Sequence, residues 1–158
     1  MDEQARKTAL RMIPYGLFAL GVGEGKDATV STINWVTQTS FQPPLVVAGV
    51  KTDSVTFERL KQTQKFAISV FESGQKDVAF AFFRHVEPAD GKFGDYAYET
   101  KTTGAPILVD APAWWECNVL DIVERGDHAT VIGEVVEAGV RRETEPLTLK
   151  ECGVNYGG

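Results

Sequence analysis

Residues 32–50 restrict the fold more than any other part of the chain. Thr32-Ile33-Asn34-Trp35-Val36-Thr37-Gln38-Thr39-Ser40 is rich in β-branched and hydroxyl residues. Phe41-Gln42-Pro43-Pro44 comes next, and Leu45-Val46-Val47-Ala48-Gly49-Val50 is an unbroken apolar run. β-Branched residues fit a pleated, half-buried surface. Prolines cannot donate to a ladder, so the pair marks a strand entrance or an edge. The apolar run after them predicts a strand buried on both faces. A strand with this much hydrogen-bonding capacity beside a buried one describes a pocket wall better than plain scaffold.

The flanking segments read as further short elements. Gln4 to Met12 predicts a polar helix that ends before Pro14. Tyr15–Val22 and Ala28–Trp35 read as two strands, joined by the turn residues Gly23-Glu24-Gly25-Lys26-Asp27, which makes a hairpin. Lys51-Thr52-Asp53-Ser54 leads into a helix through Thr63, with Asp53 or Ser54 as N-cap and Phe57 and Leu60 facing the core. Phe66–Phe71 alternates as a strand, and Gln75–Arg84 reads as another helix. Glu87–Gly104 has no clear period and is either an ordered excursion or a flap. Trp114–Val123 and Ala129–Val136 read as two strands. Val131, Gly133 and Val135 lie on one face of the second, Ile132 and Val136 on the other. Apolar residues on both faces imply a second buried surface such as a subunit interface. Many short strands with turns between them favour a closed or partly open antiparallel barrel.

Composition removes several function classes. At 158 residues the chain fits a single domain, 1–158, large enough to bury a core without disulfide staples. A net charge of -6 with no basic stripe argues against a nucleic-acid surface. No apolar run approaches the ~20 residues of a membrane span, and the opening Met1–Lys7 lacks a basic stretch followed by an apolar core. The expectation is a cytoplasmic protein with no membrane partner. Cys117 and Cys152 then read as free thiols. No metal-ligand spacing accompanies them, and no Ser-His-Asp pattern is present. Gly21-x-Gly23 with Gly25 resembles a dinucleotide fingerprint, but Lys26 misplaces the third glycine and the next residues are β-branched, not helical.

Four pieces, taken in order, resemble the flavin reductase-like family with an FMN-binding split barrel, flavoredoxin-like members included. They are Thr32-Ile33-Asn34-Trp35 with Ser40-x-x-Pro43-Pro44-Leu45, Ser54-x-Thr56 with Phe66, Glu116-Cys117, and Gly126-Asp127-His128 with Ile132-Gly133-Glu134-Val135. The resemblance covers about Tyr15 to Val136. It implies a mainly β (α+β) fold, an antiparallel Greek-key split β-barrel with two to three short helices. It also implies a homodimer whose pocket draws on both subunits.

The resemblance further implies that Thr32, Asn34, Trp35, Val36, Thr37 and Gln38 hold the flavin. An isoalloxazine ring has a polar edge that wants amide and hydroxyl partners, and faces that want apolar cover. Trp35 and Val36 would supply cover; Asn34, Thr37 and Gln38 would supply hydrogen bonds. Read without the family, the same residues are strand formers and core volume. The phosphate is expected at Lys51, Ser54 and Thr56, where a helix N-terminus offers unpaired N–H groups; the alternative is a solvated cap. His128 either touches the flavin or nicotinamide, or is a structural turn residue, while His85 reads as a helix C-terminal charge complement. Tyr96, Tyr98 and Phe93 are possible cover with no spacing rule behind them, and Tyr156 either docks or dangles. Many members of the family carry Asn-Gly where this chain has Thr29-Val30.

The implied activity is transfer of hydride from NADH or NADPH to FMN, and onward to free flavin, oxygen, a metal ion or a partner monooxygenase. No catalytic side chain and no metal are expected, because the cofactor carries the chemistry. The alternative is a non-enzymatic FMN-carrying electron-transfer protein.

Overall fold

A computed structural model describes all 158 residues. In chain order the elements are α1 (Glu3–Leu10), β1 (Phe18–Val22), a 3-10 turn at Gly25–Asp27, β2 (Thr29–Ile33), β3 (Val36–Ser40), β4 (Leu45–Lys51), α2 (Val55–Thr63), β5 (Lys65–Val70) and α3 (Lys76–Ala81). Then come β6 (Pro88–Ala89), β7 (Lys92–Phe93), β8 (Tyr96–Thr100), β9 (Pro106–Leu108), β10 (Ala113–Val123) and β11 (His128–Val140). Seven strands form one antiparallel sheet in the order β2-β1-β5-β10-β11-β4-β3, and the other four form a small sheet in the order β6-β7-β8-β9.

The connection between β2 and β3 dictates the shape of the large sheet. The two strands are its opposite edges, yet only Asn34 and Trp35 separate them. In a flat sheet six strand spacings would hold those edges about 29 Å apart, whereas the link from Ile33 to Val36 reaches at most about 10 Å. The sheet therefore curls until its edges meet. This is the antiparallel split barrel that the family resemblance implies, with three short helices where two to three are expected.

Two apolar clusters fill the two faces. Leu20, Val22, Val46, Val50, Phe57, Leu60, Phe66, Ile68 and Val131 pack inside the curl, with α2 contributing Phe57 and Leu60. Leu17, Ala19, Val30, Phe71, Phe82, Phe93 and Leu108 pack outside it, under α3 and the small sheet. The period-2 alternation of β1 sends Leu20 and Val22 to one cluster and Ala19 to the other. The glycines of the discarded fingerprint have a packing role at Gly21, where a Cβ would lie 1.9 Å from the Pro106 carbonyl oxygen. Only a residue without a side chain lets β9 cross there.

Several local expectations are revised. Leu45–Val50 is not buried on both faces: Val46, Ala48 and Val50 are buried, while Leu45, Val47 and Gly49 on the other face are half-covered. The helix expected over Gln75–Arg84 stops at Ala81, because Thr32 takes its end: the Thr32 hydroxyl donates to the Ala79 carbonyl, and the Thr32 N–H donates to the Phe82 carbonyl at 3.0 Å. Residues 87–104 form ordered short strands. Their loop is clasped by Glu116, which is fully buried and accepts from the Thr102 and Thr103 N–H groups at 3.0 and 2.8 Å. Thr32–Gln38 is not one strand with its turn but two strands broken at Asn34–Trp35.

Both cysteines are free, as expected, and both are buried. Burial pushes the Cys117 thiol up to about 12, and neighbouring Glu116 pushes the same way. The neutral thiol is the form the fold favours. Its contribution is complete below the ordinary cysteine range near ~8.5 and is lost as pH climbs toward the raised value. Urea unfolding followed from pH 8.5 to 12 should show stability falling across that window, less steeply in Cys117→Ala. Native protein at pH 8 should leave Cys117 unreactive to an aromatic disulfide reagent until it is unfolded.

Candidate functional site

The seam where the sheet edges meet opens onto a cavity of about 580 Å³. Its walls come from the end of β2, the β4–α2 junction, the chain after α3, the start of β11 and the C-terminal tail. Lys51, Arg84, His85 and His128 line it, and no carboxylate does. Just outside the lining, Asp53 pairs with Lys51, Glu87 with His85 and Asp127 with His128, so Arg84 is the cation of the wall that has no acidic partner. Phe80, Phe82, Leu17, Leu149 and Val154 supply apolar wall.

The β4–α2 junction is built as a helix start with donors to spare. Ser54 caps α2 by accepting from the Phe57 N–H at 3.1 Å, and its own proton goes to the Lys51 carbonyl at 2.7 Å. Glu58 N–H donates to the Ser54 carbonyl at 3.2 Å. The N–H groups of Val55 and Thr56 have no acceptor within the protein. They add to the positive end of the helix dipole. Lys51 pairs with Asp53 at 3.1 Å, with both side chains more than half exposed. The Thr56 hydroxyl is committed to Thr29 at 3.1 Å and to Ser31.

Opposite Lys51 on the neighbouring strand stands His128. Its Nδ1 bonds Asp127 at 3.0 Å and its Nε2 bonds the Tyr156 hydroxyl at 2.8 Å. The His128 hydrogen bond holds the Asp127 carboxyl below its ordinary range. Burial raises the Tyr156 phenol, against a smaller opposing pull from Lys51. Trp35 completes an aromatic triangle, with ring centroids 4.6 Å from His128 and 5.4 Å from Tyr156. Tyr156 thus docks. Arg11 Nε donates to the Gly157 carbonyl at 3.1 Å and holds the tail beyond it.

Of the ten residues expected to hold a cofactor, Thr32, Asn34, Lys51, Ser54, Thr56 and His128 line this one cavity. Asn34 is more than nine-tenths buried, and its Nδ2 has no hydrogen-bond partner. Trp35, Val36, Thr37 and Gln38 are not among the lining residues. Trp35 packs under Gly49, where a Cβ would meet its ring at 2.9 Å, and its Nε1 is buried without a partner. Val36 packs against the inner core. Thr37 and Gln38 sit exposed on edge strand β3, with their polar atoms turned to the Gln38 and Ser40 carbonyls. The broken strand is the reason: after Asn34 the chain joins the opposite edge of the sheet.

Residues missed by the sequence reading include Ser31, Phe80, Phe82, Arg84 and His85. His85 lies four residues beyond the end of α3, so it is not in the helix's last turn, and it bonds Glu87 at 2.9 Å. No periodicity marks the run from Phe80 to His85. Its place is set by the two hydrogen bonds from Thr32 to Ala79 and Phe82.

Comparison with known proteins gives the same direction. The family description "Flavin reductase like domain" matches residues 10–157. A probable flavin reductase of Rhizobium meliloti (strain 1021) is 35% identical over 127 residues, covering 77% of this chain and 40% of that protein. The chain thus spans about two-fifths of that relative's length. The NADH:FAD oxidoreductase of Streptomyces globisporus C-1027, solved with NAD and FAD fragments, superposes with a TM-score of 0.76 at 32% identity, covering 86% of this chain and 81% of that one. The flavin reductase component of a bacterial two-component tryptophan halogenase superposes with a TM-score of 0.79 at 25% identity, covering 94% and 92%. With nearly its whole length matched, this chain belongs to the flavin reductase-like domain family.

Proposed function

We propose that this chain is an FMN-binding oxidoreductase that passes hydride from NADH or NADPH to the flavin and on to an acceptor. The observation that carries this reading is the cavity itself: four basic or imidazole side chains, no carboxylate, and a buried amide donor, Asn34 Nδ2, left without a partner. A buried orphan donor is costly unless a ligand satisfies it. The residues fit a flavin mononucleotide. Asn34 would donate to the polar edge of the ring, and Phe80, Phe82 and Val154 would cover its faces. The Val55 and Thr56 N–H groups, with Lys51, would hold the phosphate. His128 and Tyr156 would border the remaining opening.

When bound, the flavin supplies the hydride chemistry and the nicotinamide its source. The protein's share is to bind, orient and exclude water. Ser54 acts indirectly, since its hydroxyl is spent on the cap, and Thr32 acts by holding α3. The streptomycete relative is described with FAD, and FMN is favoured here by the single helix-terminus anion site. A monooxygenase-type partner is the acceptor class proposed, by analogy with the halogenase reductase component.

Purified protein mixed with FMN should quench flavin fluorescence, and mixing the complex with NADH or NADPH in a stopped-flow device should bleach its flavin absorbance band within seconds. An absence of quenching would sink the flavin assignment, while quenching without bleaching by either nucleotide would favour the electron carrier. Lys51→Ala should weaken FMN about three- to tenfold by fluorescence titration, with riboflavin changed less than about twofold, in keeping with an exposed charge–phosphate contact. Equal losses for both ligands would refute the phosphate position.

The proposal extends to a cytoplasmic homodimer built from the single 1–158 domain. Phe41 is 89% exposed at the β3–β4 turn, and Leu120 and Val140 expose apolar surface on the long β10–β11 ribbon. Free thiols accord with a reducing compartment, and no helix is long and apolar enough to cross a membrane. Light scattering should return twice the chain mass, and Phe41→Glu should lower it toward one.

A further inference from the structure

Three hydroxyls stand in a row beside the cavity. Thr29 Oγ1 lies 3.1 Å from Thr56 Oγ1, which in turn bonds Ser31 Oγ. Thr29 is 1% exposed and Thr56 3%, while Ser31 is half-buried and lines the cavity. None of the three oxygens bonds any other group of the protein. Distances alone leave the donors undetermined, but counting protons decides them.

Each hydroxyl carries one proton. Two bonds use two protons, so one proton is left over. Were it on Thr29, it would be buried with no acceptor. Were Thr29 and Ser31 both to donate to Thr56, the Thr56 proton would be stranded in the same way. A buried donor without a partner carries its full desolvation cost. One arrangement avoids this: Thr29 donates to Thr56, Thr56 donates to Ser31, and the spare proton sits on Ser31, free to point into the cavity.

We propose that Ser31 is a dedicated hydrogen-bond donor to the phosphate of the cavity ligand, its proton aimed by the one-way hydroxyl row that starts at Thr29. The proposal rests on the flavin nucleotide reading of the same cavity. The ligand class is set by the neighbours. Ser31 is one hydrogen bond from Thr56, whose own N–H is among the unpaired donors at the start of α2. A phosphate oxygen is an acceptor suited to meet that N–H together with the Ser31 hydroxyl, since charge-assisted bonds are the stronger kind. The unpartnered, nine-tenths-buried Asn34 amide in the same cavity is an independent sign that a ligand completes the site.

The test compares FMN with riboflavin, which lacks the phosphate, by fluorescence titration of the full chain. Ser31→Ala should weaken FMN about tenfold and leave riboflavin within about twofold, and Ser31→Thr should restore most of the loss. Inorganic phosphate, used as competitor, should displace riboflavin from neither protein but should protect wild type against FMN more strongly than it protects Ser31→Ala. Parallel losses of FMN and riboflavin would make Ser31 a packing residue, and unchanged FMN affinity would remove it from the site; either overturns the proposal. If wild type binds neither flavin, the flavin reading itself falls. If wild type binds FMN normally and only the Ser31 comparison fails, that reading stands and this one does not.

Discussion

Everything about this fold turns on a link of two residues. Asn34 and Trp35 tie one edge of a seven-stranded sheet to the other, so the sheet has no freedom to lie flat. Curling brings β2, the start of β11 and the β4–α2 junction around a common opening. It also puts the apolar faces of non-neighbouring strands in contact inside, where α2 adds Phe57 and Leu60. The same link carries Asn34, a buried residue of the cavity wall whose Nδ2 has no partner within the protein. Closure and binding capacity are two consequences of one short connection.

Around that opening most hydroxyls are already spent. Thr32 ends α3, Ser54 starts α2, and Thr56 ties α2 to β2. The donors that remain include the Asn34 amide, two backbone N–H groups and the Ser31 hydroxyl. With Lys51, Arg84 and two histidines in the wall and no carboxylate lining it, the site is rich in donors. Such a lining is of the kind that suits acceptor-rich anions even on an acidic protein. The aromatic triangle of Trp35, His128 and Tyr156 closes one side and anchors the tail, so the cavity's wall includes residues from both ends of the sequence.

The residues legible in the sequence have local causes. Ser54 is an N-cap because a hydroxyl before a helix has N–H groups to accept from, and its neighbours Lys51 and Thr56 come into the site by continuity. The strand pairs β1–β2 and β10–β11 arise from alternation around turn residues. Trp35, Val36, Thr37 and Gln38 lie outside this cavity, although in the chain alone the polar run of 32–40 looks like one strand with Thr32 and Asn34. Nothing local marks the point where it changes edges. Arg84 and His85 escape notice for the opposite reason: their segment has no period, and hydrogen bonds from Thr32, in a distant strand, put it at the cavity.

By itself, then, the sequence determined the mainly β class, the helix start that presents unpaired N–H groups, the free thiols and the family, because each depends on neighbours a few residues apart or on a pattern kept in order along the chain. Only the tertiary structure decided which hydroxyls are consumed, which donors are left facing the cavity, and which strand carries the pocket wall. Those outcomes depend on long-range pairing, such as Thr29 and Ser31 with Thr56 or His128 with Tyr156. Whether a polar group is satisfied is a property of its surroundings in space, and no spacing along a chain records that.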